Sequence, residues 1–190
     1  MTLIIVDKRE QPINIYYDGL VSSGDYVHLR HCKKVQELTH FWYGLSGHTN
    51  YDLLFEFLDA YLTKKKVNIT GLTTKKVGIT RLLLYEGIIA AQKILDFDWK
   101  DESNNAKYCL DGFLISKENQ DHFDITMENH RIIDLLINRE PYNAYGMRME
   151  SLHLLDAGVS IEKTYEICSK RCYGVGGEYK TITLPIKEII

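Results

Sequence analysis

Near the N-terminus, a threonine hydroxyl and an aspartate carboxylate lie on two segments that are predicted to form one hairpin. Residues 2–7 (TLIIVD) and 13–18 (INIYYD) have the composition of strands, and the polar segment KREQP between them favours a reversal. If the reversal centres on Glu10, antiparallel pairing places Thr2 opposite Asp18, with Cβ atoms roughly 5 Å apart. Because a hydroxyl becomes a nucleophile when a base takes its proton, this pair is the first candidate for chemistry.

The same register divides the hairpin into two faces. The face that carries Thr2 and Asp18 is the more polar one. The opposite face is the more apolar and is predicted to pack on a core; it carries Leu3, Ile5, Ile13, Ile15 and Tyr17.

Other clusters of polar residues indicate structure rather than chemistry. His28, His31 and Cys32 do not have the spacing of a standard zinc site, and no second ligand pair accompanies them. Cys168 and Cys172 lie one helical turn apart, which favours core packing. The sequence GVGG at 174–177 lacks the Lys-Ser/Thr that completes a phosphate-binding loop, so it predicts a turn. No metal and no cofactor is expected.

The elements that must position Thr2 and Asp18 come in blocks along the chain. After the hairpin, the first half of the chain is predicted to contain a loop or irregular strand at 19–32, a strand pair at 33–47, a helix from Asn50 with Thr49 or Asn50 as its cap, and a largely buried helix near 74–95. The second half is predicted to contain strands at 106–116, 122–128 and 131–138, helices at 143–158 and 160–172, and a turn and strand at 174–186. Gly158 is expected to end the third helix, and Ser160 to cap the fourth. This order favours an α+β fold.

Length and composition exclude several classes of protein. A chain of 190 residues without a linker or repeat is predicted to form one domain, residues 1–190. The net charge of −3 argues against a nucleic-acid partner, and no apolar run is long enough to span a membrane. The start of the chain lacks the features of a secretory signal. Four scattered cysteines are expected to be reduced, which favours the cytoplasm.

Three stretches of the sequence resemble the proteasome β-subunit family and its HslV-type bacterial branch. These are Met1-Thr2 opening into an apolar strand, YYDG with Asp18 followed by KKV with Lys34, and GLSGHTNYDLLFEFLDAYL with its glycine turn and helix. Weaker similarity lies in PYNAYGMRM and YKTITL. The resemblance implies a four-layer αββα sandwich of the N-terminal-nucleophile hydrolase class. It also implies a homo-oligomer of stacked rings that cleaves peptides or unfolded proteins, with an ATPase unfoldase as a possible partner.

The resemblance also implies roles for individual residues. Thr2 would attack the peptide bond, its own α-amine would act as the base, and Lys34 would lower the pKa of that amine while Asp18 holds Lys34. The N–H of Gly47 would stabilise the oxyanion. Substrate would bind along Leu20–Ser22 and Ser46–Gly47, with Val35 and Leu45 shaping an apolar pocket. This chemistry requires removal of Met1, which the small Thr2 side chain permits.

Two supporting positions depart from the family. The family has a serine in a Gly-Ser-Gly stretch just before the third helix, and 137–140 is taken as the matching stretch, with Asn138 in place of the serine. The family also has an aspartate after the fourth helix, where this chain has Lys170–Tyr173 and then glycines. These losses favour one alternative, a catalytically inactive proteasome-like protein retained for assembly or binding. A further alternative is an amidase for small molecules, since the implied fold also hosts such enzymes.

Overall fold

The computed structural model of the chain describes residues 2–23, 26–29, 33–47, 51–70, 79–95, 109–128, 131–172 and 174–185. The strands are β1 Leu3–Asp7, β2 Asn14–Asp18, β3 Val21–Ser23, β4 Tyr26–Leu29, β5 Val35–Glu37, β6 Phe41–Gly47, β7 Cys109–Ser116, β8 His122–Glu128, β9 Arg131–Ile137, β10 Tyr142–Gly146 and β11 Tyr179–Thr183. The helices are α1 Tyr51–Thr70, α2 Arg81–Ile94, α3 Arg148–Asp156 and α4 Ile161–Arg171. The predicted order of strands, two helices, strands, two helices and a strand is confirmed.

The chain divides into two compact units. Unit 1 consists of Met1–Val35, Gly44–Gly47 and Arg139–Ile190, and unit 2 of Gln36–Tyr43 and His48–Asn138. The prediction that residues 1–190 form a single domain stays a prediction.

Unit 1 is built on a four-stranded antiparallel sheet with the strand order β10-β1-β2-β11. Its core lies between this sheet and helices α3 and α4. Buried apolar side chains alternate along β1 and meet those of the two helices; they are Leu3, Ile5, Ala144, Met147, Leu155, Ile161, Cys168 and Val175. Full burial of such a side chain stabilises the fold by about 1.5–3 kcal/mol, so this core holds the first residues of the chain in place.

The predicted register of the first hairpin is wrong by one residue. Strand β1 pairs with β2 through Ile4↔Tyr17 and Ile5↔Tyr16, so continuing the ladder brings Leu3, not Thr2, level with Asp18. The reversal is centred between Glu10 and Gln11, half a residue later than predicted. Because side chains alternate between the two faces of a strand, this register shift of one residue moves the side chains of β2 to the opposite face relative to those of β1. Thr2 and Asp18 are therefore not a directly opposed pair.

The third helix begins later than its sequence pattern predicts. Residues 143–146 belong to β10, which pairs with β1 through Leu3↔Gly146 and Ile5↔Ala144, and α3 starts at Arg148. The apolar residues of this segment have helical spacing, but pairing with β1 buries them, and so the segment forms a strand. The predicted ends hold: Gly158 follows the C-cap of α3 with φ +79°, and the Ser160 Oγ accepts the Lys163 N–H at the start of α4.

Unit 2 contains helices α1 and α2 and most of a five-stranded sheet with the order β5-β6-β7-β8-β9. The apolar face predicted for α1 is confirmed, because Leu54, Phe55, Leu58 and Leu62 are fully buried. Helix α2 begins at Arg81, with Thr80 as its N-cap. Only one stripe of its side chains is buried, so the prediction of a largely buried helix is wrong. Gly87 allows this stripe to approach α1, since a Cβ there would lie 3.0 Å from Tyr61 Cδ1.

Within the described residues, no helix is both long and apolar enough to cross a lipid bilayer.

Candidate active site

Lys34 joins Thr2 to Asp18 in unit 1. Its Nζ donates to Thr2 Oγ1 over 2.9 Å and to Asp18 Oδ1 over 2.7 Å. Thr2 is 8% exposed, the Lys34 side chain 6% and Asp18 not at all. A charged pair so deeply buried is costly unless its geometry is good, and here both partners are within hydrogen-bonding distance. Because Lys34 donates to Oγ1, the hydroxyl proton of Thr2 is left to point at another acceptor.

Backbone amides satisfy the remaining sites of the Asp18 carboxylate. The N–H of Leu3 donates to Oδ1 over 2.8 Å, and those of Leu20 and Gly176 donate to Oδ2 over 3.3 Å each. Four donors therefore surround a carboxylate that water does not reach. The three amides fix the orientation of the carboxylate, and one of them, that of Gly176, comes from a turn 158 residues away in the chain.

The glycine turn after α4 is the part of this site that the sequence reasoning missed. The Gly174–Gly177 segment is the predicted turn, yet its Gly176 amide binds Asp18, and Tyr165 Oη donates to the Gly177 carbonyl over 3.1 Å. Burial first, and the negative charge of Asp18 second, raise the pKa of Tyr165 to about 12. Tyr165 thus keeps its proton near neutral pH and continues to hold the turn against Asp18.

Strand β10 fixes the backbone of Thr2 from the other side. The Met147 N–H donates to the Thr2 carbonyl over 3.0 Å, directly after the Leu3↔Gly146 pair. Gly146 has φ +82°, a conformation that favours glycine. The nucleophile candidate is therefore held at its carbonyl by β10 and at its hydroxyl by Lys34.

The end of β6 reaches the same place within unit 1. A Cβ on Gly146 would lie 2.7 Å from Ser46 Oγ and 2.8 Å from the Thr2 carbonyl carbon. Ser46 and Thr2 therefore approach the same face of Gly146. Gly47 follows with φ +137° and is exposed. The predicted oxyanion donor thus ends a strand that lies beside Thr2.

The predicted substrate-binding residues differ in exposure. Leu20, Leu45 and Ser46 are half-buried. Val35 is fully buried, so it presents no surface to a substrate in this conformation. Ser22 lies in β3 opposite Val27.

Solved structures that match the chain along almost its full length include HslV and a proteasome-like protein. Eukaryotic HslV from Trypanosoma brucei has 14% sequence identity and a TM-score of 0.58, covering 95% of this chain and 97% of that chain. BPH from Thiobacillus denitrificans, a bacterial proteasome homologue, has 11% identity and a TM-score of 0.63, covering 98% and 99%. BPH in complex with epoxomicin has 8% identity and a TM-score of 0.62, covering 98% and 100%.

This chain has the proteasome-like fold. The predicted fold class, α+β and of the proteasome-like N-terminal-nucleophile hydrolase type, is confirmed. At these identities the likeness establishes the fold alone. No protein-family model and no curated protein sequence matches the chain.

Asn138 does not lie directly before the third helix, where the resemblance expects the family's serine. Asn138 was matched to it as the residue just before the third helix, but Asn138 precedes β10, and its Nδ2 donates to Asp124 Oδ2 over 2.8 Å in unit 2. Gly146 ends β10, Met147 is the N-cap of α3, and Arg148 is the first residue of that helix. Met147 is the residue directly before α3, and its thioether, which is 4% exposed, offers no hydroxyl.

The expected absence of a metal site concerns residues that are only partly described. Among the described residues, no group of three or more His, Cys, Asp or Glu side chains is arranged to hold a metal ion. His31 and Cys32 lie outside the described residues, as do the proposed caps Thr49 and Asn50. Cys168 and Cys172 are free thiols, and burial raises the pKa of both.

Proposed function

We propose that this protein is a threonine peptidase whose nucleophile is Thr2 after removal of Met1. The observation that carries the proposal is the buried contact of one ammonium, Lys34 Nζ, with both Thr2 Oγ1 and Asp18 Oδ1. The proteasome-like fold supports it, because HslV and BPH share this fold.

The proposed reaction uses the free α-amine of Thr2 as the base. The reference pKa of an α-amine is roughly 7.7–8.0, and the nearby charge of Lys34 lowers it further. The amine takes the proton of Oγ1, and Oγ1 attacks the carbonyl carbon of the substrate. The Gly47 N–H stabilises the oxyanion. Collapse expels the leaving amine, which takes the proton from the Thr2 ammonium, and water then hydrolyses the ester.

Burial of the Lys34–Asp18 pair suits this role. Lys34 donates to Oγ1 and so stabilises negative charge as it develops there. Asp18 holds the ammonium in place by accepting from the same Nζ, and its own position is set by backbone amides. A pre-aligned charge in a site closed to water needs little reorganisation during the reaction.

The proposal extends to partners and location. We assign the protein to a homo-oligomeric ring that degrades peptides or unfolded proteins, with an ATPase unfoldase as the possible partner, in the cytoplasm. The sequence resemblance to HslV-type subunits supports the ring and the ATPase, and the free thiols of Cys168 and Cys172 support the cytoplasm. A protein with this fold that has lost activity is the second candidate, favoured by Met147, which has no hydroxyl, directly before α3.

The first experiment measures the N-terminus and activity together. Intact mass should show loss of Met1, and incubation with epoxomicin, which one BPH structure contains, should add one equivalent of mass and stop peptide cleavage. A chain that retains Met1 should be inert, because the nitrogen of Thr2 is then an amide and cannot act as a base. If protein without Met1 neither cleaves peptides nor reacts with epoxomicin, the inactive candidate is correct.

Placing a hydroxyl at position 147 should raise the activity. We expect Met147→Ser to increase kcat severalfold, because the new hydroxyl can relay a proton near the Thr2 amine. The same change removes a buried side chain and should cost about 2–5 kcal/mol of unfolding free energy. Steady-state kinetics and chemical denaturation measure the two effects.

Met147→Ala is the matched control for this prediction. It loses the same packing against Leu3 and Leu155 and gains no hydroxyl, so it should be destabilised without any rise in kcat. Equal kcat values for the Ser and Ala variants would show that the hydroxyl has no role at this position.

A further inference from the structure

Gly146 lies against two other segments of unit 1, the start of the chain at Thr2 and the end of β6 at Ser46. It ends β10 opposite Leu3 and has φ +82°. A Cβ built on it would overlap the Thr2 carbonyl oxygen and lie 2.7 Å from Ser46 Oγ. Real Cβ atoms essentially never approach other atoms so closely. Any larger residue must therefore displace the start of β1, the end of β6 or both from their places beside Gly146.

These two segments carry the two halves of the proposed reaction. Thr2 supplies the nucleophile, and the Ser46–Gly47 segment supplies the oxyanion donor. The amide that follows Gly146 donates to the Thr2 carbonyl, so β10 is attached to the nucleophile directly. The bare Cα of Gly146 thus allows Ser46 to approach the Thr2 backbone.

From this geometry we infer that Gly146 is a positioning residue, which sets the distance between the Thr2 nucleophile and the Gly47 oxyanion donor. The inference rests on the proposed function. It assigns to Gly146 a catalytic effect that acts through Thr2 and Gly47, without contact with the substrate. A misplacement of about 1 Å between reacting groups can lower a rate by about 10²-fold.

The test compares Gly146→Ala with Gly158→Ala. Both glycines have positive φ, +82° and +79°, so both variants bear the same kind of backbone strain. A Cβ on Gly158 meets nothing within 4 Å. We expect Gly146→Ala to lower kcat by about 10²-fold with KM changed little, and Gly158→Ala to keep the kcat of the wild type. Equal kcat values for the two variants would overturn the inference.

A second variant keeps the test decisive if Gly146→Ala does not fold. Ser46→Val enlarges the other side of the contact and leaves the backbone of Gly146 unchanged. We expect it to lower kcat as well, and Ser46→Gly, which removes the Oγ, to recover part of the kcat lost in Gly146→Ala. If Ser46→Val has the kcat of the wild type, the contact between Ser46 and Gly146 does not set the geometry.

A crystal structure separates this inference from the proposed function. In Gly146→Ala, or in Ser46→Val, the Lys34 Nζ–Thr2 Oγ1 contact of 2.9 Å should persist, while the Ser46–Gly47 segment moves away from the Thr2 carbonyl. An unmoved segment overturns the role of Gly146 even in an active enzyme. A displaced segment in a protein that cleaves no peptide supports the positioning and contradicts the peptidase.

Discussion

Thr2→Ala should abolish peptide cleavage, with kcat lower by about 10³-fold or more, because no other atom replaces Oγ1 as the nucleophile. The variant should still fold. Thr2 makes its backbone bond to Met147 through the carbonyl oxygen, which the substitution leaves in place. Lys34 keeps its contact with Asp18 and loses only one neutral acceptor. Peptide hydrolysis and thermal unfolding, measured on the same preparation, check both statements.

Thr2→Ser is the matched control for this loss. Serine keeps a hydroxyl within reach of Lys34 Nζ, and alanine and serine are both small enough for removal of Met1. We expect Thr2→Ser to retain cleavage within roughly tenfold of the wild type and to react with epoxomicin, whereas Thr2→Ala should do neither. Intact mass must show the same N-terminus in all three proteins. Cleavage by Thr2→Ala at the rate of the wild type would contradict the assignment of the nucleophile.

Lys34→Met should lose both activity and stability. Methionine has a similar length and no charge, so Asp18 becomes a fully buried carboxylate without a cationic partner. Breaking a buried pair in this way costs about 3–5 kcal/mol of unfolding free energy. The Thr2 hydroxyl and amine also lose the ammonium that favours their reactive states, so kcat should fall by about 10³-fold or more. Denaturant unfolding and steady-state kinetics measure the two losses separately.

The double variant Asp18→Asn/Lys34→Met separates the two effects. It removes both charges, so the unfolding free energy should recover part of what Lys34→Met loses. The activity should not recover, because the ammonium is still absent. Recovery of activity together with stability would mean that Lys34 acts only by keeping the site folded. No recovery of either would mean that the Asp18 charge is not what destabilises the single variant.

Local patterns predicted most of the elements that build the site. The strands of the first hairpin, helix α1 and helix α4 with its Ser160 cap follow from side-chain periodicity and capping, which depend on neighbours a few residues away. The register of the hairpin does not follow from these local patterns. It depends on the exact centre of the KREQP reversal, and a shift by one residue exchanges the two faces of a strand.

Sequence patterns alone predict the pairing of β1, which begins directly after Thr2, with β2, which ends at Asp18, and a family resemblance indicates Lys34. Only the tertiary structure decided how the three meet, because Lys34 contacts both partners through side-chain bonds that no local pattern encodes. The tertiary structure also places Gly146 against Thr2, Gly176 against Asp18 and Met147 directly before α3. Gly146, Met147 and Gly176 lie more than about 120 positions from the hairpin, and contacts over such distances arise only when the sheet and the turn after α4 close around it.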